Sequence, residues 1–285
     1  MQTMNPIERI LRAVALSLVI FFFMFPIFWI FLMSFQTNET ILRVPPSMFF
    51  EPTLTNYRSL ISGSLDGSTA TLEIQFMGNL YNSLFLSVAA VSVGLILGVP
   101  AAYAFAKLKF RGSEDIAFTL LSFRFAPPLL VLLPLTIYFQ KIGLADTYFG
   151  LIWVYQLIVL PLILWIVRGY FEDIPSDIEY AHRIAGHGFW STFTKIALPL
   201  AGPGIAAAGL LAFIFAWNNF IFALVLASAD KQPVTVGALA FITASGINYG
   251  QIAAGIMLSI APVFALALYA QRYLVEGLSL GAVKG

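Results

Sequence analysis

The chain of 285 residues contains no cysteine, so disulfides and thiolate metal sites are excluded and redox chemistry carries no information about compartment. Charge is almost as scarce. Asp, Glu, Lys and Arg make up 10% of the residues, against about 25% in soluble domains, while 60% are hydrophobic and the mean hydropathy is +0.89. That balance excludes an ordinary soluble domain. The net charge of +1 gives no reason to expect nucleic acid. The two histidines, His182 and His187, lie on either side of Gly186, which is not the one-face spacing of a metal pair, and no metal site is expected. No GxxxxGK[ST] stretch occurs, so the chain cannot cradle ATP phosphates by a P-loop of its own and is expected to bind no cofactor. Nor is there a nucleophile–base pair or a pair of carboxylates that would suggest a membrane enzyme.

What is present is a series of long apolar runs. Stretches at about 11–35, 81–106, 116–139, 148–167, 205–226 and 252–270 are each long enough to cross a bilayer, which takes about 17–25 residues. The expected fold is therefore all-α, a polytopic membrane protein of six transmembrane helices in one domain over 1–285. The first run is too long for a signal peptide, contains Pro26 and Trp29 and lacks a small-residue cleavage site, so it is read as retained. None of the 14 acidic residues falls inside a run, which argues against a proton- or sodium-coupled carrier, whose coupling groups sit at mid-membrane.

Positive charge orients the spans. With the N-terminus inside, Arg9, Arg12, Lys107, Lys109, Arg111, Arg168, Arg183, Lys195, Arg272 and Lys284 are cytoplasmic, against Arg43, Arg58, Lys141 and Lys231 outside. Both termini are thus expected in the cytoplasm of a cell whose inner membrane holds the chain.

Between the fourth and fifth runs lies a polar island, 172–199, with the central stretch EYAHRIAGHGFWSTFTKIALP. Ser176 followed by Glu179 has the capping-box spacing, so a helix is expected to start at Asp177. Gly186 supplies the left-handed residue that ends it. Such a helix is too short to be stable alone, since isolated helices below about 12–15 residues are marginal. Ile178, Ala181 and Ala185 share one face, with Tyr180 and Ile184 beside them. An ordinary interfacial helix is the alternative to a partner-docking one.

Glu179, Ala181, Gly186, Ile196, Leu198 and Pro199 resemble the EAA-loop pattern of permease subunits in binding-protein-dependent ABC importers: Glu-Ala-Ala, three residues, Gly, nine residues, Ile-x-Leu-Pro. Phe25-Pro26 with Trp29, Arg124 before Pro127-Pro128, Trp217-Asn218 and the final GLSLGAVKG extend the resemblance over nearly the whole chain, toward the second, smaller permease of the maltose-permease-like carbohydrate subfamily. The resemblance implies a cytoplasmic coupling helix seated in a cleft of an ATPase, with Ser176, Glu179, Tyr180, Ala181, Arg183, Gly186, Ile196, Leu198 and Pro199 as the coupling residues and Glu179 meeting a basic group. It also implies a second permease, two ATPase copies that carry ATP and Mg, and an extracytoplasmic binding protein delivering a sugar. A permease for another solute, such as glycerol phosphate, is the alternative. Tyr180 stands where the family has Ala, Ala185 where Asp often precedes the Gly, and Asn219 where Glu often follows Trp-Asn.

Polar groups at membrane depth are costly and tend to face a pore or another helix. Arg124, Gln156, Trp217, Asn218 and Asn219 are accordingly the candidates for the substrate pathway. Helix-to-helix hydrogen bonding and aromatic packing are the competing roles.

Overall fold

The computed structural model describes residues 6–45, 49–63, 75–108, 110–243 and 246–281. Lys109 and Lys284, two of the charges used for orientation, and the last four residues of the GLSLGAVKG run lie outside them. Among the described residues the regular structure is helical apart from one two-stranded ladder, and the contacts fall into two compact units.

The first unit comprises the chain up to Met77 together with Ala238–Ala261. Helix α1 (Pro6–Ser34) is apolar all round and none of its most hydrophobic window is buried within the chain. A helix of that kind is built for lipid or for another chain. Two short helices follow, α2 (Asn38–Ile41), capped by the Thr37 hydroxyl, and α3 (Thr55–Ser62), closed by Gly63 at φ +74°. The later segment of this unit carries strands β1 (Ile242–Thr243) and β2 (Gly246–Ile247), paired Ile242 with Ile247. Asn38 ties them down: its Nδ2 donates to Ile247 O at 2.9 Å and its Oδ1 accepts from Tyr249 N–H at 2.9 Å.

The second unit comprises Gly78–Gly237 and the chain from Pro262. Here α4 (Phe76–Lys107) and α7 (Tyr148–Asp173) pack closely: a Cβ on Gly94 would lie 2.6 Å from Val159, and one on Gly98 2.9 Å from Ile163. The other side of α7 receives α11 (Gly202–Trp217), whose Gly204 admits the Tyr170 ring to within 2.2 Å of where a Cβ would stand. Helix α7 is the core element. Leu151, Val154, Val159, Ile163, Val167 and Phe171 are buried along it.

Two of the six expected spans are not straight. The run at 116–139 forms α5 (Ser113–Ser122), a 3₁₀ turn Phe123–Phe125 and then α6 (Pro128–Lys141), bent by 97°. Pro127 and Pro128 lack the N–H groups that would continue the ladder, and each pushes its predecessor out of the helical region: Ala126 has ψ 126° and Pro127 ψ 122°. The fifth run is also broken. Helix α11 stops at Asn218, whose Nδ2 turns back to Ile214 O at 2.8 Å, and α12 (Ile221–Leu226) starts afresh. Ahead of α11, the helical stretch Phe189–Leu200 meets it at 70°, with Pro203 just inside the new helix. By length and composition four helices can cross a membrane unaided, and six spans are reached when each bent pair counts as one.

Candidate functional site

The polar island forms a helix whose ends follow local chemistry and whose large apolar side chains are left uncovered. Helix α8 spans Ser176–Ile184, one residue earlier than the capping box would start it. Its N-cap is Pro175, no side chain caps it, and the Ser176–Glu179 box does not form. Proline fixes φ near −65° ahead of the first turn, which makes Ser176 the first helical residue and frees Glu179 for other partners. The C-terminus ends as the sequence implies. Gly186 adopts φ +90°, its N–H bonds Arg183 O at 3.0 Å and the His187 N–H bonds His182 O at 3.4 Å, the pair of bonds of a Schellman motif.

Glu179 is the one buried residue of α8. Its Oε2 accepts from the Tyr103 hydroxyl at 3.1 Å and its Oε1 lies 3.6 Å from Lys107 Nζ. Lys107 also donates to Ile174 O at 2.6 Å, which fastens the end of α7 to the end of α4. Around Tyr103 stand Phe171, Phe189 and Phe193, with ring centroids 4.9–5.7 Å away. One aromatic hub therefore joins α4, α7 and the segment after Gly188. Arg168 pairs with Glu172 at 2.6 Å and with Glu114, adding α5 to the same end of the unit.

The side chains that face out include the large apolar ones. Ile178 and Tyr180 are more than two-fifths exposed, Trp190 more so, and Ile184 is 87% exposed. A surface helix normally buries its apolar stripe and exposes its charge; α8 exposes Asp177 and Arg183 but leaves its large apolar side chains uncovered as well and buries Glu179. Glu179, for which the resemblance implies a basic partner on the ATPase, has its carboxylate turned inward and held by Tyr103 and Lys107 of its own chain. Motif spacing agrees with the geometry. Four residues, not three, separate Ala181 from Gly186, so counting back from Gly186 places the Glu of the motif on the exposed Tyr180. Ser176, Ala181 and Arg183 are exposed, and the Arg183 guanidinium lies 5.8 Å from the Phe189 ring. Ile196 and Leu198 are half-buried and Pro199 is exposed, the first of these within a π-helical turn, Phe193–Ala197.

His182 and His187 stack with centroids 4.1 Å apart, and His182 Nε2 is 3.2 Å from Ser191 Oγ. Desolvation, then the neighbouring His187 and Lys195, hold the His182 pKa below its usual value. No cluster of three or more potential metal ligands occurs among the described residues.

The five pathway candidates separate. Gln156 is buried and bridges helices, donating Nε2 to Ala90 O and to Ile152 O, both at 3.0 Å. Trp217 is buried on Phe213 at 5.5 Å. Asn218 is exposed, while Asn219 keeps a buried Oδ1 without a partner. Arg124 sits in the 3₁₀ turn at the 97° bend, with its guanidinium 4.3 Å above the Phe215 ring of α11. Sequence reasoning missed Tyr103 and Lys107. Lys107 was visible only as a cytoplasmic charge, and nothing local in the sequence links it to a carboxylate in a helix 72 positions later.

Residues 94–279 match the family described as binding-protein-dependent transport system inner membrane component. The chain belongs to that family. It is 34% identical over 280 residues to a trehalose transport system permease protein, SugB, of Mycobacterium tuberculosis, covering 96% of this chain and 97% of that one. A trehalose/maltose transport system permease protein, MalG, of Thermococcus litoralis is 31% identical, with 98% of each covered. In fold the chain is similar to a bacterial ABC transporter involved in import of the acidic polysaccharide alginate, with TM-score 0.76, 24% identity and 96% and 99% coverage. The chain is a multi-pass inner-membrane permease component.

Proposed function

We propose that this permease forms half of the pore of a sugar importer, with both termini cytoplasmic, a second permease as the other half, two copies of a cytoplasmic ATPase and an extracytoplasmic binding protein. The observation that carries the coupling role is the uncovered apolar side of helix α8: a polar loop offers Ile178, Tyr180 and Ile184 while its buried Glu179 carboxylate is tied to α4. An interfacial helix in lipid headgroups would place its apolar side chains in the bilayer, but α8 sits on a loop whose other exposed residues include Asp177, Arg183 and His187.

The geometry turns docking into motion. A partner gripping Tyr180 and Ile184 moves α8, and the Glu179–Lys107–Tyr103 tie passes the displacement to α4. Lys107 bonded to Ile174 O passes it to α7 as well. ATP-driven closure of the ATPase dimer would then bias a rigid-body equilibrium between two pore states, as alternating access requires. The apolar groove of about 660 Å³ lined by Leu84, Val88, Leu95, Leu210, Phe213 and Leu266 suits the second permease, since Ala206 and Gly209 in its wall allow close helix approach. Sugar as the solute is supported by the substrates named for the relatives.

Purification of the tagged chain from its native membrane tests the assignment. The second permease and an ATPase are expected to co-purify, and the reconstituted complex with its binding protein is expected to import a disaccharide only with ATP. Recovery of the chain alone, or uptake without ATP, would refute it.

A further inference from the structure

The first unit holds a polar site that the coupling role does not use, a pocket of about 180 Å³ at the start of α14 (Tyr249–Gly281). Thr37, Thr53, Asn56, Asn248, Gly250 and Gln251 contribute to its wall, and among the described residues no ionisable one lines it. Gly250 makes the shape possible. A Cβ there would stand 2.7 Å and 2.8 Å from the Asn56 amide atoms and 2.8 Å from Gln36 O, so only glycine lets the first turn of α14 come this close.

The hydrogen bonds around the pocket leave both kinds of group over. Asn56 uses its Nδ2 on Ser34 O at 2.9 Å and Gln36 O at 2.8 Å, which leaves Oδ1 as an acceptor. Gln251, 6% exposed, donates Nε2 to Ser59 Oγ at 3.0 Å, and its Oε1 has no partner among the described residues. In the first turn of α14 the Tyr249 N–H is taken by Asn38 and the Ile252 N–H by Asn248 O. The N–H groups of Gly250 and Gln251 have no acceptor among the described residues, as expected for a helix start. Unfilled donors thus lie beside unfilled acceptors, one of them buried. A carboxylate or phosphate only accepts and an ammonium only donates, whereas a hydroxyl does both.

We propose that this pocket binds the hydroxyls of a neutral sugar and admits one pyranose ring. Its volume equals about six waters at ~30 Å³ each and is below the ~300 Å³ at which pockets for drug-sized ligands begin. The assignment rests on the sugar-importer reading above, in which Arg43 and Arg58 of the same unit lie outside, so the pocket opens on the side where substrate arrives.

The test uses the whole transporter in lipid nanodiscs without its binding protein, with glucose as the probe, glucuronate as the anionic comparator and saturation-transfer NMR as the readout. Two variants are compared with the native chain: Gln251→Leu, which removes the buried acceptor, and Asn248→Ala, whose side chain makes no hydrogen bond among the described residues. The native complex is expected to bind glucose in preference to glucuronate, and both variants to weaken glucose binding by roughly tenfold. No glucose signal, equal binding of glucuronate, or undiminished binding in Asn248→Ala would overturn the site. Undiminished glucose binding in both variants, with weakened capture of the binding protein once it is added back, would make the pocket a protein-docking surface and also overturn the proposal. ATP-driven sugar uptake by a native complex that shows no direct glucose binding would refute this pocket alone, while transport of a non-sugar solute would refute the importer reading beneath it.

Discussion

The Lys107 ammonium and the Glu179 carboxylate stand 3.6 Å apart with both side chains about nine-tenths buried, joining the end of α4 to the middle of α8. Two charges withdrawn from water are stable only together, and removing one partner of a buried pair costs about 3–5 kcal/mol. Lys107→Met is expected to destabilise the purified chain by on the order of 3 kcal/mol. Adding Glu179→Gln to it should recover part of the loss. Thermal denaturation of the single and double variants checks this, and additive losses would show that the pair is not coupled.

Ile184 is 87% exposed and makes no contribution to the core, so Ile184→Asp is expected to leave folding and membrane insertion unchanged. The same change should reduce recovery of the ATPase on the tagged permease by tenfold or more, since a charge would have to enter an apolar contact, at a cost on the order of 1.4 kcal/mol or above. Undiminished recovery would place the docking contact elsewhere.

Gly186 sits at φ +90° with nothing within 4 Å of where a Cβ would stand, so a substitution there is strained by backbone conformation and not by crowding. Gly186→Ala should therefore cost about 1–2 kcal/mol, and Gly186→Asn less, because Asn tolerates the left-handed region. Gly204→Ala raises the opposite problem. A Cβ would meet the Tyr170 ring at 2.2 Å and force α7 and α11 apart, whereas Gly209→Ala, with its nearest neighbour at 3.6 Å, should be tolerated. Melting temperatures of the four variants separate strain from crowding.

The stacked pair His182–His187 makes the loop sensitive to acid. Because the His182 pKa is lowered in the fold, the unfolded loop binds more protons as pH falls below the ordinary value of 6.5, and the local structure loses stability there while remaining intact above it. Coupled ATPase activity is expected to decline on the acid side of that value, and His182→Gln to flatten the decline. An unchanged pH profile in His182→Gln would sever the link.

Much of the helical architecture is legible because lipid imposes a simple rule, that long apolar runs must be helices, and the six runs are helical, four of them unbroken and two bent or broken. The bends are not. Pro127-Pro128 announced a broken ladder, but the 97° angle depends on what α6 packs against. Asn218 and Asn219 read as pathway amides, yet the Asn218 side chain returns to its own helix and helps to end it. In the polar island the Gly186 stop was clear because it is local. The burial of Glu179 was not, since its partners Tyr103 and Lys107 come from another helix, and the sequence offered a nearer partner in Ser176 that Pro175 displaces.

Helix α8 presents bare isoleucine and tyrosine to water before any partner arrives. A newly made permease is thus adhesive until it is assembled, and a cell that produced it in excess would carry a surface that chaperones and proteases recognise. Under the proposed docking role, the side chains that meet the partner would tie the chain's lifetime to that partner's abundance, so subunit ratio would be a property written into one nine-residue helix.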